Sequence, residues 1–183
     1  MAAANSKETM TEFLSGVERR AFAVAKFASR NTDEALDLVQ ETMFEFVRRY
    51  SDEPRGKWKS LFYRILQSRI TDWHRRKSVR NRILSWLGRP EGEEEQEDPL
   101  QRLPDPGGAN PERDLERREL RVALERAVRR LPLRQQQAFF LRAWEGMDVA
   151  QAAFAMGCSE GTIKTHYSRA VHTLRGLLED VRP

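Results

Sequence analysis

Lys164, Thr165, Ser168 and Arg169 combine two cations and two small hydroxyls at helical spacing near the C-terminus. Lys and Arg neutralise phosphates, and hydroxyls bond phosphate oxygens and base edges, so this set suits contact with duplex DNA. A second set runs from Trp58 to Arg76, where Trp58, Phe62, Tyr63 and Trp73 are interleaved with Lys59, Arg64, Arg69, Arg75 and Arg76. Aromatic faces stack on unpaired bases at about 1–3 kcal/mol each, while the cations track the backbone. Phe62, like Ile65 and Leu66, reads as core, and Trp58 and Trp73 are open to either use. Arg75-Arg76-Lys77 has Asp72 alone nearby to neutralise it. In a third set, stepping about 100° per residue, Asp37, Gln40, Glu41, Phe44 and Arg48 lie beside the apolar stripe of their helix. A Phe among acids, a Gln and an Arg reads either as a partner-docking surface or as packing against a neighbouring helix.

Other chemistries have little to stand on. Cys158 is the one cysteine, sits at a turn, and has no histidine near it in the sequence, so it reads as structural. His166 and His172 are six apart, not the three or four that would share a helical face as metal ligands. No catalytic residue, metal or cofactor is expected. The longest unbroken apolar stretches, such as Ala21 to Ala25, are far shorter than the ~20 residues of a membrane helix. With no signal-like N-terminus, a soluble cytoplasmic protein is expected.

The elements that must carry these sets read as helices. Of 183 residues, 39% are hydrophobic, enough for modest cores. The net charge of +4 hides a segregation. From Pro54 to Pro90 eleven basic residues face Asp72 alone, and from Glu91 to Pro106 seven acids face Arg102 alone. Such an acidic, Pro- and Gly-rich tract buries too little apolar surface to offset its ordering entropy, so 88–110 is expected to be a flexible linker. It would divide the chain into domains over 7–87 and 111–180.

The fold class is all-α. Phe13, Val17, Ala21, Val24 and Ala28 recur at helical spacing, as do Leu36, Val39, Met43, Phe46, Val47 and Tyr50. Asn31 or Thr32 can cap the second helix. A third begins after Pro54-Arg55-Gly56 and is expected to end near Lys77. Leu120, Leu124, Ala127, Val128 and Leu131 form a stripe closed by Pro132. Beyond it, a helix from about Leu133 ends at Gly146, Asp148 and Gln151 have capping-box spacing, and Gly157-Cys158-Ser159 is a tight turn before a last helix. Helix, glycine turn, helix is the helix-turn-helix arrangement, whose second helix enters the major groove. The alternative is an ordinary helical hairpin with a solvated polar face.

Asp37-Leu38-Val39-Gln40-Glu41, Leu61-Phe62-Tyr63-Arg64-Ile65 and Asp72-Trp73-His74-Arg75-Arg76 resemble region 2 of sigma-70 family factors. Leu131-Pro132-Leu133-Arg134-Gln135, Glu145-Gly146 and the run Gly157 to Ala170 resemble region 4. The short two-domain layout is similar to the extracytoplasmic-function (ECF) group. The resemblance implies a bacterial transcription initiation factor that binds core RNA polymerase and directs it to promoter DNA. By it, Asp37, Gln40, Glu41 and Phe44 would meet the clamp helices of the polymerase β′ subunit. Trp58, Lys59, Arg64, Arg69, Trp73, Arg75 and Arg76 would bind and help melt the −10 element. Lys164, Thr165, Ser168 and Arg169 would read the −35 element. An anti-sigma factor is an implied partner, and the acidic linker would pass near the RNA exit path.

Two positions depart from the family pattern: Ser68 stands where Asn is frequent, and Ala152-Ala153 where Ile-Ala is usual. The first touches the expected −10 contacts, and the second implies looser packing of the C-terminal domain. The rival reading is a helix-turn-helix transcriptional regulator without a sigma role. It leaves unexplained why a basic aromatic stretch shares the N-terminal half with the Asp37, Gln40 and Glu41 face. An adaptor that touches no nucleic acid would have to account for the charge of Pro54 to Pro90.

Overall fold

The structure, a computed structural model, describes residues 2–86 and 111–179, with side chains from Thr9 in the first stretch and Arg118 in the second. All its regular elements are helical among the described residues. The chain forms two compact units; among the described residues the first carries three α-helices and the second four α-helices and a π-helical turn. The tract 88–110, expected as the linker, lies outside the described residues.

The first unit packs α1 (Ala2–Ser29), α2 (Thr32–Tyr50) and α3 (Arg55–Trp86) against one another. Arg30 adopts φ 58° between α1 and α2, and its N–H donates to the Lys26 carbonyl at 2.9 Å. That single left-handed residue closes α1, and Asn31 opens α2 by accepting the Glu34 N–H at 3.0 Å. The centre is aromatic. Phe13 lies 5.4 Å from Phe46 and 5.5 Å from Trp58 between ring centroids, and Phe46 stands edge-on to Phe62 at 5.7 Å. Such tilted and edge-to-face pairs add about 0.5–1.5 kcal/mol each to the burial term.

Two expectations change here. The buried side of α2 is Ala35, Leu38, Val39, Thr42 and Phe46, so Leu36 and Val47 fall outside the core at 46% and 41% exposure. Thr42 looks polar in sequence but is fully buried, because its Oγ1 donates to the Leu38 carbonyl at 2.6 Å. α3 continues nine residues past Lys77, to Trp86. Its last buried residue is Ile70, so the second half is a helix with exposed sides, among them Val79, Ile83 and Trp86.

The second unit contains α4 (Pro111–Arg129), α5 (Leu133–Phe139), α6 (Val149–Met156) and α7 (Glu160–Leu178). α4, α5 and α6 all pack on α7. Leu120, expected in the stripe of α4, is exposed at 53%. The Gln136 amide donates to the Val128 and Leu131 carbonyls, both at 3.1 Å, and so satisfies the orphan end of α4. α5 runs into a π-helical turn, Phe140–Trp144, where the Glu145 N–H reaches back to the Phe140 carbonyl at 2.8 Å. Gly146 at φ 64° then turns the chain, and the Asp148–Gln151 capping box starts α6. Gly157 at φ 62° ends α6, with the Cys158 N–H donating to the Ala153 carbonyl at 3.1 Å, and Ser159 caps α7. Ala152 and Ala153 are buried, in one core with Leu141, Met147, Met156 and Ile163.

Candidate nucleic-acid interface and docking face

α6 and α7, joined by the Gly157 turn, form the helix-turn-helix. Ile163, Ala170 and Leu174 hold α7 in the core. Lys164, Thr165, Ser168 and Arg169 are all exposed on its other side. The Thr165 hydroxyl donates to the Gly161 carbonyl at 2.9 Å, which leaves its lone pairs outward as acceptors. The Arg134 guanidinium reaches the Met156 carbonyl at 3.3 Å, and the Arg142 guanidinium lies 5.7 Å from the Tyr167 ring centroid. The first contact ties α5 to the end of α6, and the second ties the π-helical turn to α7. His166 sits among them with its Nδ1 buried and lacking a hydrogen-bond partner. Burial, then the Arg134 and Arg169 charges, push its pKa below the ordinary value.

On α3 the expected set divides. Arg64, Arg75 and Arg76 are exposed, while Lys59 is half-buried. Asp72 pairs with Arg75 at 3.1 Å, across two exposed side chains where such a bond contributes little. Trp58 does not offer a stacking face. It is 4% exposed between Phe13 and Phe46, and its indole N–H donates to the Glu53 carbonyl at 2.6 Å. Trp73 is intermediate, bonded through its indole N–H to Glu34 at 2.8 Å, with the Lys77 ammonium 5.0 Å from its ring centroid.

Arg69 turns toward α2. Its guanidinium bonds Glu41 and, at 2.6 Å, Glu45, both on α2. Glu45 also takes Arg49 at 2.9 Å. Arg69 thus pairs with two α2 carboxylates in a partly covered setting. Glu34 and Glu45 were not singled out from sequence; their seven- and four-residue spacings from Glu41 placed all three on one α2 stripe and were the available signal.

The outward face of α2 carries Asp37, Gln40, Glu41 and Phe44, all exposed, with Phe44 at 76%. Leu36 and Val47, displaced from the core, extend it. The result is an apolar band bordered by carboxylates, the composition that protein partners cover. Among the described residues no cluster of His, Cys, Asp and Glu could hold a metal, and no helix is long and apolar enough to cross a membrane. Burial raises the pKa of the Cys158 thiol, which opposes thiolate reactivity.

Residues 14–87 match the family described as sigma-70 region 2, and residues 121–174 match sigma-70, region 4. The RNA polymerase sigma-E factor of Streptomyces antibioticus is 32% identical over 146 residues, covering 80% of this chain and 71% of its own. The ECF RNA polymerase sigma factor EcfG of Rhodopseudomonas palustris is 31% identical over 160 residues, covering 87% of this chain and 78% of its own. In fold, the chain is similar to the sigma factor RpoE solved in complex with the anti-sigma factor NepR from Bartonella quintana, with TM-score 0.71 and 24% identity over 96% of this chain and 99% of that one. Two region matches in sigma-70 order, together with relatives spanning most of the chain, establish that it belongs to the sigma-70 family, in its extracytoplasmic-function group, and is a sigma factor directing promoter-specific transcription.

Proposed function

We propose that this sigma factor divides its work between the two units, with 7–87 gripping core polymerase and the −10 element and 111–180 reading the −35 element. Asp37, Gln40, Glu41 and Phe44 dock on the β′ clamp helices, with Phe44 as the apolar anchor inside a charged rim. Arg64, Arg75 and Arg76 hold the opened strand, with Lys59 and the rim of Trp73 beside them. Lys164 and Arg169 contact phosphate or base edges, and Thr165 and Ser168 set register. The observation that carries this reading is the pairing, on adjacent helices of one small unit, of an exposed acidic-apolar face and an exposed basic face.

The factor acts by binding alone, in the cytoplasm, and the polymerase sets the spacing of its two DNA grips. An anti-sigma factor is a fitting antagonist, since the exposed α2 face would be covered as readily by an inhibitor as by polymerase. The test is core polymerase with this protein on a supercoiled promoter library, scored for new start sites. The Asp37→Lys variant is expected to lose those starts while retaining its helical content. Undiminished initiation by a correctly folded variant would remove the docking assignment.

A further inference from the structure

We infer that Arg69 is a positioning residue for polymerase docking rather than a DNA contact, and that it prearranges the Glu41 carboxylate at the edge of the docking face. The inference rests on the proposed docking role of α2. Arg69 rises from α3 on the side that meets α2 and forks between two carboxylates one helical turn apart, Glu41 and Glu45. Glu45, with 17% of its side chain exposed and a second bond to Arg49, is the fixed end of this arrangement. Glu41, with 59% of its side chain exposed, is the end that faces outward. A planar guanidinium with donors in a rigid fork holds two such oxygens in a fixed geometry, whereas an ammonium on a flexible stem holds them less firmly.

Two consequences follow from the chemistry. A free Glu on a helix surface samples many rotamers, and a partner must freeze them; Arg69 removes part of that cost before the partner arrives. A carboxylate accepts several hydrogen bonds, so Glu41 held by Arg69 keeps lone pairs for a cation of the partner. Both terminal nitrogens of Arg69 are engaged by the two carboxylates and its Nε is buried, so little of the guanidinium is presented to a phosphate. Its charge is already balanced by Glu41 and Glu45, so it adds nothing to the field that draws DNA to Arg64, Arg75 and Arg76. A partly covered network of three charged side chains also contributes to stability, so polymerase affinity and the double variant, read beside the melting midpoint, separate positioning from a purely structural role.

The experiment measures the affinity of the full chain for core polymerase, and separately the salt dependence of holoenzyme binding to a single-stranded −10 oligonucleotide. Arg69→Gln is expected to weaken polymerase binding about ten-fold, and Arg69→Lys about three-fold. The double variant Arg69→Gln with Glu41→Gln should be no worse than the weaker single one, because the two side chains act as one group. The slope of log affinity against log salt should be unchanged by Arg69→Gln, whereas Arg76→Ala should lower it by about 0.7, the share of one phosphate on a single strand. Helical content and melting midpoint are recorded for each variant, and Arg69→Lys carries the test if the Gln variant does not fold. Additive losses in the double variant, or a shallower salt slope for Arg69→Gln, would overturn the inference. So would unchanged polymerase affinity for Arg69→Gln beside a clear loss for Asp37→Lys, which leaves the docking reading standing. If Asp37→Lys also binds normally, the docking reading fails and this inference falls with it.

Discussion

α7 and α3 are both assigned to nucleic acid, yet they divide their side chains differently. On α7, Ile163, Ala170 and Leu174 go inward and Lys164, Thr165, Ser168 and Arg169 go outward, with no residue asked to do both. On α3 the aromatic and basic residues that look alike in sequence have separate fates. Trp58 is core, Arg69 is an ion-pair bridge, Trp73 is tied to Glu34, and Arg64, Arg75 and Arg76 remain exposed. A recognition helix held by a small hairpin can segregate scaffold from contact. A helix that is also the wall of an aromatic core cannot.

Substitutions in the cores and on the faces should expose that contrast. The largest expected effect is in the first unit: Phe46→Ala removes a fully buried ring that touches Phe13, Trp58 and Phe62. It should cost about 3–5 kcal/mol of stability, read from urea unfolding of the full chain by tryptophan fluorescence, and DNA binding by α3 should fall with it. Arg169→Ala on α7 should leave stability unchanged and cost about 1–3 kcal/mol of promoter affinity in the holoenzyme. Relaxed choice at one −35 base pair would mark a base contact, and a uniform loss across sequences with a shallower salt slope would mark a phosphate contact. A smaller effect separates frame from face: Asp148→Ala breaks the capping box that starts α6 and should cost about 1 kcal/mol, with DNA discrimination retained.

Much of the α7 half was legible because its signals are local. The capping box, the positive-φ glycines Gly146 and Gly157, and the Ser159 cap each depend on residues within a few positions of one another. What stayed hidden depends on partners far away in the chain. Leu36 and Val47 fit the apolar period of α2 but lose their place to Leu38 and Thr42, because α1 and α3 meet the helix on that side. Arg69 carries the same charge as Arg64 and Arg75, and the glutamates that claim it lie 24 and 28 positions earlier. Lys77 looked like the end of α3 because apolar spacing fades there, yet the helix continues without burial on good helix formers such as Arg80, Arg82 and Leu84. Periodicity reports that a helix has a face, and the tertiary partner decides where that face is centred.

His74 on α3 and His166 on α7 both titrate below the ordinary value, and pH separates the two helices. His74 on α3 has its pKa lowered chiefly by burial, opposed by a backbone hydrogen bond with Ala28 and assisted by the Lys77 and Arg30 charges. Its Nε2 is buried and has no partner, so a proton added there would be an unsatisfied buried donor beside two cations. The unfolded chain, with an ordinary value of 6.5, then binds that proton more readily than the folded one. The stability this histidine contributes is therefore present above pH 6.5 and is lost as pH falls below it. The urea midpoint should hold steady from pH 8.5 to 7 and drop between about pH 6.5 and 5, above the range where carboxylates titrate. His74→Asn should flatten that drop. His166 shifts in the same direction, but it stands on α7 beside exposed residues, where solvent screens the Arg134 and Arg169 charges. His166→Asn should flatten the profile less than His74→Asn. The reverse order would mean that α7, not α3, is the helix whose polar side chains are bound up with its core.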